Sequence, residues 1–256
     1  SYAVTIVMHS ALMSANSANS MKNADELFEC LQSRSYVRVV TGHSHKMWNA
    51  SHGNVKEHNS GSVCGAWWWT GRYNPSINIG QDGSPAGYRI MKWTKTKEQS
   101  FYKATGRSDD YQFRSYDRNA IHIVPSDYGV SKYADAFNSH LSKCGGFNNA
   151  SYDNTVLVNV WDYDTGWKVE ACEDGINYRQ CEQYSGYDPL YIIAYSAQRF
   201  TSTNSLTFGP ASTGHLFSYK ASMPNSTVYI RVTDDEGREY KETMLRPKAF
   251  NINQYK

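Results

Sequence analysis

The sequence predicts an α+β protein. A short alternating strand–helix–strand opening leads into a mainly β region, and the last part is β-sandwich-like. Three observations carry this. Two apolar runs, residues 4–8 and 37–40, flank a helical stripe. Aromatic residues make up 14%, with 20 Tyr and 7 Trp, and strands favour them. From residue 155 onward, apolar runs are punctuated by Asp-Gly-type turns.

The elements follow in order. Residues 4–8 form an apolar strand that ends at His9. Residues 23–31 suit a helix, because Leu27 and Leu31 share one face and Phe28 widens it. Residues 37–40 form a second strand, which empties into Thr41-Gly42-His43-Ser44-His45. Strands of a parallel sheet place ligand-binding loops at such C-terminal ends. Residues 48–58, with Trp48, Asn49, His52, Asn54, Glu57 and His58, read as a polar loop. Short Gly-rich turns then separate aromatic segments, the densest holding Trp67, Trp68 and Trp69. On a flat strand, Trp67 and Trp69 would pack inward, with Trp68 at a domain contact or groove.

Asp82-Gly83-Ser84-Pro85 is a turn signal before a strand at 87–93. Residues 98–102 and 111–116 are weaker strands, and Ala134, Phe137 and Leu141 hint at a helix. Strong strands follow at 155–161, 167–172, 227–233 and 238–244, and residues 246–256 read as a tail. The organisation is therefore residues 1–60 and a β-rich region at 61–256, with a possible internal boundary near 150.

Composition excludes several classes. Lys and Arg total 26 against 24 Asp and Glu, so the net charge of +2 gives no field for a nucleic-acid scaffold. No apolar run approaches the roughly 20 residues of a transmembrane helix. The chain enters a strand at once with no leader, as expected of a mature secreted protein or an excised piece of a longer one. Five cysteines leave at least one unpaired. Cys172 and Cys181 flank an Asp-Gly turn and could face each other as a disulfide, or pack separately as small buried side chains.

Gly42-His43-Ser44-His45 is the sharpest local signal. Side chains two apart in extended backbone point the same way, so His43 and His45 would reach one crevice. His9 ends the earlier strand in the same manner. Neutral imidazoles bind zinc, iron or manganese, and three of them could also hold a single zinc with an open position for water. Asn54, Glu57 or His58 could orient such ligands from behind. The bland alternative for each histidine is packing, capping or exposure. Other chemistries lack their marks: there is no Gly-x-Ser-x-Gly elbow, Walker segment or Gly-x-Gly-x-x-Gly. Trp67, Trp68 and Trp69 could form a saccharide or protein platform, but packing accounts for them as well.

The ordered set of motifs resembles the calcineurin-like metallophosphoesterases. Met8-His9 and the run Val39 to His45 are similar to the last two metal-binding motifs of that family. Glu57-His58-Asn59-Ser60-Gly61 through Trp68, then Asp82 through Tyr88, Tyr102-Lys103-Ala104-Thr105-Gly106, Val158-Asn159-Val160-Trp161 and Gly186-Tyr187-Asp188-Pro189 resemble secreted bacterial members with an added C-terminal domain. The resemblance implies that the opening 60 residues are the C-terminal remnant of an α/β metallophosphoesterase sandwich. It implies two divalent ions such as Zn, Fe or Mn, with His9 and His43 on one and His45 on the other.

The family's earlier motifs, Asp-x-His, Gly-Asp-x-x-Asp and Gly-Asn-His, do not occur in this sequence. The chain is therefore expected to be the C-terminal portion of a metal-dependent phosphohydrolase, inactive alone. Its implied partners are a phosphoester substrate and an N-terminal catalytic segment. A homodimer through the first part and an extracytoplasmic bacterial location are further expectations. The alternatives are a carbohydrate- or protein-binding β-rich module and a mononuclear zinc hydrolase.

Overall fold

The computed structural model describes residues 3–15, 20–94, 97–201 and 206–256. The opening is as expected. Strand β1 (Val4–Val7), helix α1 (Ala24–Leu31) and strand β2 (Val37–Thr41) follow one another. The predicted polar loop is instead a hairpin, β3 (Trp48–His52) and β4 (Val55–Asn59). The sheet order is β1-β2-β4-β3, with β1, β2 and β4 parallel and β3 antiparallel to β4. Val37, Val39 and Val55 meet Ala24, Phe28 and Leu31 of the helix in one apolar core. Polar composition disguised β4. Its Glu57 and Asn59 are fully buried, and Glu57 is satisfied by the N–H groups of Leu12 (3.0 Å) and Met13 (2.5 Å) and by the Thr41 hydroxyl (2.5 Å).

Residues 64–73 depart from the strand expected of the tryptophans. The chain turns with positive φ at Gly65, Trp67 and Trp68, then enters the short helix α2 (Trp69–Tyr73). Trp67 and Trp68 are exposed, and only Trp69 turns toward the core. A hairpin of β5 (Gly87–Trp93) and β6 (Glu98–Ala104) follows. Strand β7 (Arg114–Asp117) is shorter than predicted, and helix α3 (Ala134–Lys143) takes the expected place.

The rest of the chain forms β8 (Thr155–Asn159), β9 (Lys168–Cys172), β10 (Arg179–Gln180), β11 (Glu182–Gly186), β12 (Thr213–Lys220), β13 (Val228–Thr233) and β14 (Glu239–Met244). One sheet is ordered β10-β9-β13-β14 and the other β11-β12-β8-β7. Val169, Ala171, Val228, Ile230 and Val232 of the first share a core with Val156, Val158 and Phe217 of the second. Leu157 points the opposite way, into a second core with Phe137, Leu141 and the helical stretch around residues 189–199. Strand β8 is thus buried on both faces, which explains its unbroken apolar run.

One further reading changes, and one open alternative is settled. The supposed tail packs inward, with Tyr255 buried among Tyr116 and Phe250. All five cysteines are free thiols. Arg179 pairs with Ala171 and Gln180 with Glu170, and the Cys181 N–H donates to the Val169 carbonyl. Cys181 therefore lies three positions from Cys172 along the strand, roughly 10 Å away, too far for a disulfide. No helix among the described residues is long and apolar enough to cross a membrane.

Candidate functional site

Parallel pairing of β1 and β2 ends with Val7 opposite Val40, so the loops leaving the two strands emerge side by side. The Gly42 N–H donates to the His9 carbonyl (3.2 Å), which ties the loops together. His9 Nε2 and His43 Nδ1 stand 2.7 Å apart, with ring centroids at 4.6 Å and planes at 66°. Both rings are exposed and His45 is half-buried. All three histidines line one groove of about 460 Å³, whose opposite wall includes Val63, Tyr88 and Met91.

The route to this arrangement differs from the sequence argument. His43 and His45 have φ of 65° and 56°, in the left-handed region, so the loop is not extended. It curls tightly, with the Ser44 N–H donating to the Gly42 carbonyl (2.7 Å). His45 reaches the groove from a separate anchorage. Its Nδ1 is 2.8 Å from the Gly65 carbonyl oxygen, and its ring lies 4.2 Å from that of Trp67, tilted by 33°. A carbonyl only accepts, so Nδ1 carries a proton, and in the neutral ring this tautomer leaves the lone pair on Nε2.

This donor set suits a divalent ion. Two imidazole nitrogens bound at about 2.0–2.1 Å to one ion stand roughly 2.9–3.4 Å apart, depending on the angle at the metal. The His9–His43 separation of 2.7 Å is one small ring rotation from that range. The His45 tautomer is the one that offers Nε2 as a ligand. Among the described residues, no group of three or more His, Cys, Asp or Glu side chains is gathered into a complete metal site.

The other singled-out residues fall in three places. Glu57 sits beneath the sheet and fastens both histidine-bearing loops, through Leu12 and Met13 after His9 and through Thr41 before Gly42. Burial pushes its carboxyl above the usual range, against the hydrogen bonds from Thr41 and the two N–H groups. Asn54 lies in the β3–β4 turn, at the far end of β4, roughly 16 Å along the strand from the histidine loops. It donates to the carbonyls of Leu31 and Arg34, and so holds the end of α1 rather than a histidine. His52 is exposed over Phe28.

His58 faces a separate charged cleft of about 260 Å³, lined by strands of the first sheet, the β5–β6 hairpin and loops at 162–167 and 234–238. Its Nε2 pairs with Glu98 (2.8 Å) and its Nδ1 stands 2.7 Å from Asn49 Oδ1. Burial pushes the His58 imidazole below its ordinary value, against the hydrogen bond and charge of Glu98. Arg38 also pairs with Glu98 (2.6 Å), and Tyr36 donates to it (3.1 Å). Burial alone would raise the Glu98 carboxyl. The hydrogen bond and charge of His58, with Arg38 behind them, bring it down to about 2. Arg89 forks onto Asp162 (2.5 and 3.0 Å), and Lys56 pairs with Asp164 (2.6 Å). These pairs join the first sheet and the β5–β6 hairpin to the later β region.

Sequence reasoning missed Gly65, whose contribution is a backbone carbonyl, and Glu98, whose strand was read without a partner. The only signal at Gly65 is glycine itself. Its φ is +50° and a Cβ there would stand 2.6 Å from the Ile79 carbonyl oxygen.

None of the curated proteins and none of the solved structures compared with the chain gave a match. One family does match, described as the C terminal of calcineurin-like phosphoesterase, and it spans residues 57–240. That span takes in most of the lining of the charged cleft, the 64–68 turn that contacts His45, and nearly all of the later β region. That match, over more than half of the chain, makes it a member of the calcineurin-like phosphoesterase C-terminal family.

Proposed function

We propose that His9, His43 and His45 are the C-terminal share of a two-metal centre for phosphoester hydrolysis, with the remaining ligands supplied by an N-terminal catalytic segment. The single observation that carries this reading is the groove. Three imidazoles line it, two of them with nitrogens 2.7 Å apart, at the C-terminal ends of parallel strands. When bound, two divalent ions of the zinc, iron or manganese kind supply positive charge to the phosphoryl oxygens and an activated water. The protein's own part is to bring the three imidazoles to one groove from anchored loops. Glu57 pins both loops from below, and Gly65 fixes the His45 tautomer.

On this reading residues 1–60 complete the catalytic domain, the two later sheets form an accessory sandwich, and the protein works outside the bacterial cytoplasm. Glycan or protein binding by the β-rich region is a second reading. It is favoured by the outward Trp67 and Trp68, which are 47% and 62% exposed.

Zinc titration of the chain, followed at the histidine resonances, tests the first reading. The expected result is weak binding that moves His9, His43 and His45 together and is lost in His9→Ala/His43→Ala, with phosphoester hydrolysis only when the N-terminal segment is present. Tight, equimolar zinc with hydrolysis by the chain alone would establish a mononuclear hydrolase instead. No zinc response together with glycan binding would leave the binding module.

A further inference from the structure

The turn at 64–68 is built in an unfavourable way. Gly65, Trp67 and Trp68 all have positive φ, and two of them are bulky aromatic residues for which that region is a true outlier. Such conformations persist where surrounding structure over-determines them, and here it does. The Ala66 N–H donates to the Ile79 carbonyl (2.8 Å), and the Trp68 N–H to the Cys64 carbonyl (2.7 Å). Trp69 is wedged on the core beneath the Arg199 guanidinium, 3.8 Å above its ring. The turn thus has a rigid footing. Its product is one tryptophan ring and one carbonyl aimed at His45, with the Cys64 sulfur 3.6 Å from the His45 Nδ1.

We propose that residues 64–68 are a holder for His45, with Gly65 and Trp67 as positioning residues. This rests on the metal reading of the histidine groove and adds to it. The Gly65 carbonyl accepts from Nδ1 at 2.8 Å and selects the tautomer with a bare Nε2. Trp67 covers one face of the imidazole at 4.2 Å and is itself backed by Phe208 at 5.6 Å, so the ring plane is clamped. Among the described residues, His9 and His43 have only each other within hydrogen-bond reach of the paired nitrogens, and both are exposed. Of the three imidazoles, His45 is therefore the one oriented before any ligand arrives. The residues that orient it come from the β-rich region, not from the sheet that carries the histidines.

The test uses the chain with 15N-labelled histidine. Long-range proton–nitrogen correlation reads the His45 tautomer, and titration with zinc alone reads its affinity at each histidine. The expected result is the Nδ1–H tautomer in the parent and in Trp67→Phe. In Trp67→Ala the tautomers should mix, and zinc affinity at His45 should fall about tenfold while the remaining amide spectrum is kept. Trp67→Phe should stay within about twofold of the parent. An Nε2–H tautomer in the parent overturns the proposal. So does zinc affinity at His45 that is indifferent to residue 67 while His9 and His43 respond. Zinc that leaves all three histidines unmoved overturns the metal reading itself, and the proposal with it.

Discussion

Glu98→Gln removes one negative charge at the point where the β5–β6 hairpin grips the first sheet. The carboxylate pairs with Arg38 (2.6 Å) and His58 (2.8 Å) and accepts from the Tyr36 hydroxyl (3.1 Å), and its side chain is only 9% exposed. Burial opposes the charge, but His58 and Arg38 outweigh it and bring the group from 4.5 to about 2. At about 1.4 kcal/mol per tenfold change in the protonation equilibrium, that corresponds to roughly 3 kcal/mol. Solvent on the open side of the cleft reduces it to about 2 kcal/mol. The sign follows from linkage. A depressed carboxyl stabilises the fold fully above its unfolded value near 4.3, and the contribution is lost as pH falls toward about 2. Glutamine mimics the protonated form. The variant should therefore melt about 4–8 °C lower than the parent at pH 7, with the gap narrowing below about pH 5, roughly halved by pH 3 and closing toward about pH 2. Thermal unfolding by circular dichroism across that range is the assay. Equal melting at pH 7, or a gap that stays constant down to pH 3, would refute the argument.

Three other outcomes can be checked on the same chain. Arg89→Met should destabilise by about 3–5 kcal/mol in urea unfolding, because Asp162, 2% exposed, loses its bidentate partner; Arg89→Met/Asp162→Leu should recover much of the loss. Gly83→Ala should prevent stable folding, since φ is +81° and a Cβ would collide with the buried Asp188 carboxylate; protease resistance equal to the parent's would contradict this. The N–H groups of Val4 and Met8 bond to the β2 side, so the Val7 N–H points to the outer edge of β1, where no described strand pairs. A homodimer formed through the first part of the chain would use that edge. Sedimentation should therefore show self-association that Val7→Pro weakens, and a parent that stays monomeric at all concentrations would remove the idea.

How much of this was legible depends on what kind of signal each residue gives. Val4 to Val7, Leu27 with Leu31, and Val37 to Val40 announce their elements because burial on one face leaves a period in the sequence. Leu157 and its neighbours announce β8 by unbroken apolarity. Residues 55–59 did neither. Their buried side is Val55, Glu57 and Asn59, and only knowledge of the Leu12 and Met13 N–H groups shows why a carboxylate belongs there. The helical stretch at 189–199 was invisible for the opposite reason. Residues 189–197 are buried all round, which erases periodicity. At the site, the residue types of His9, His43 and His45 were readable, but the backbone that aims them was not. Left-handed φ at two consecutive aromatic residues has no sequence signature, because neither Trp67 nor Trp68 prefers it.

The site therefore depends on two layers of the chain for different things. The parallel ends of β1 and β2 bring His9 and His43 together by register alone, and that information is local to the first 45 residues. His45 shares their loop but takes its direction from Gly65 and Trp67. Their turn is seated on Ile79 and on Trp69 with Arg199, in the region matched to the C-terminal family. The charged cleft makes the same connection on the other side of β4, where Lys56 and His58 reach Asp164 and Glu98. A region fastened to both sides of the histidine-bearing sheet does more than follow it in sequence. Loosening it should disturb His45 before it disturbs the His9–His43 pair, so the accessory region acts as part of the mount of the proposed centre.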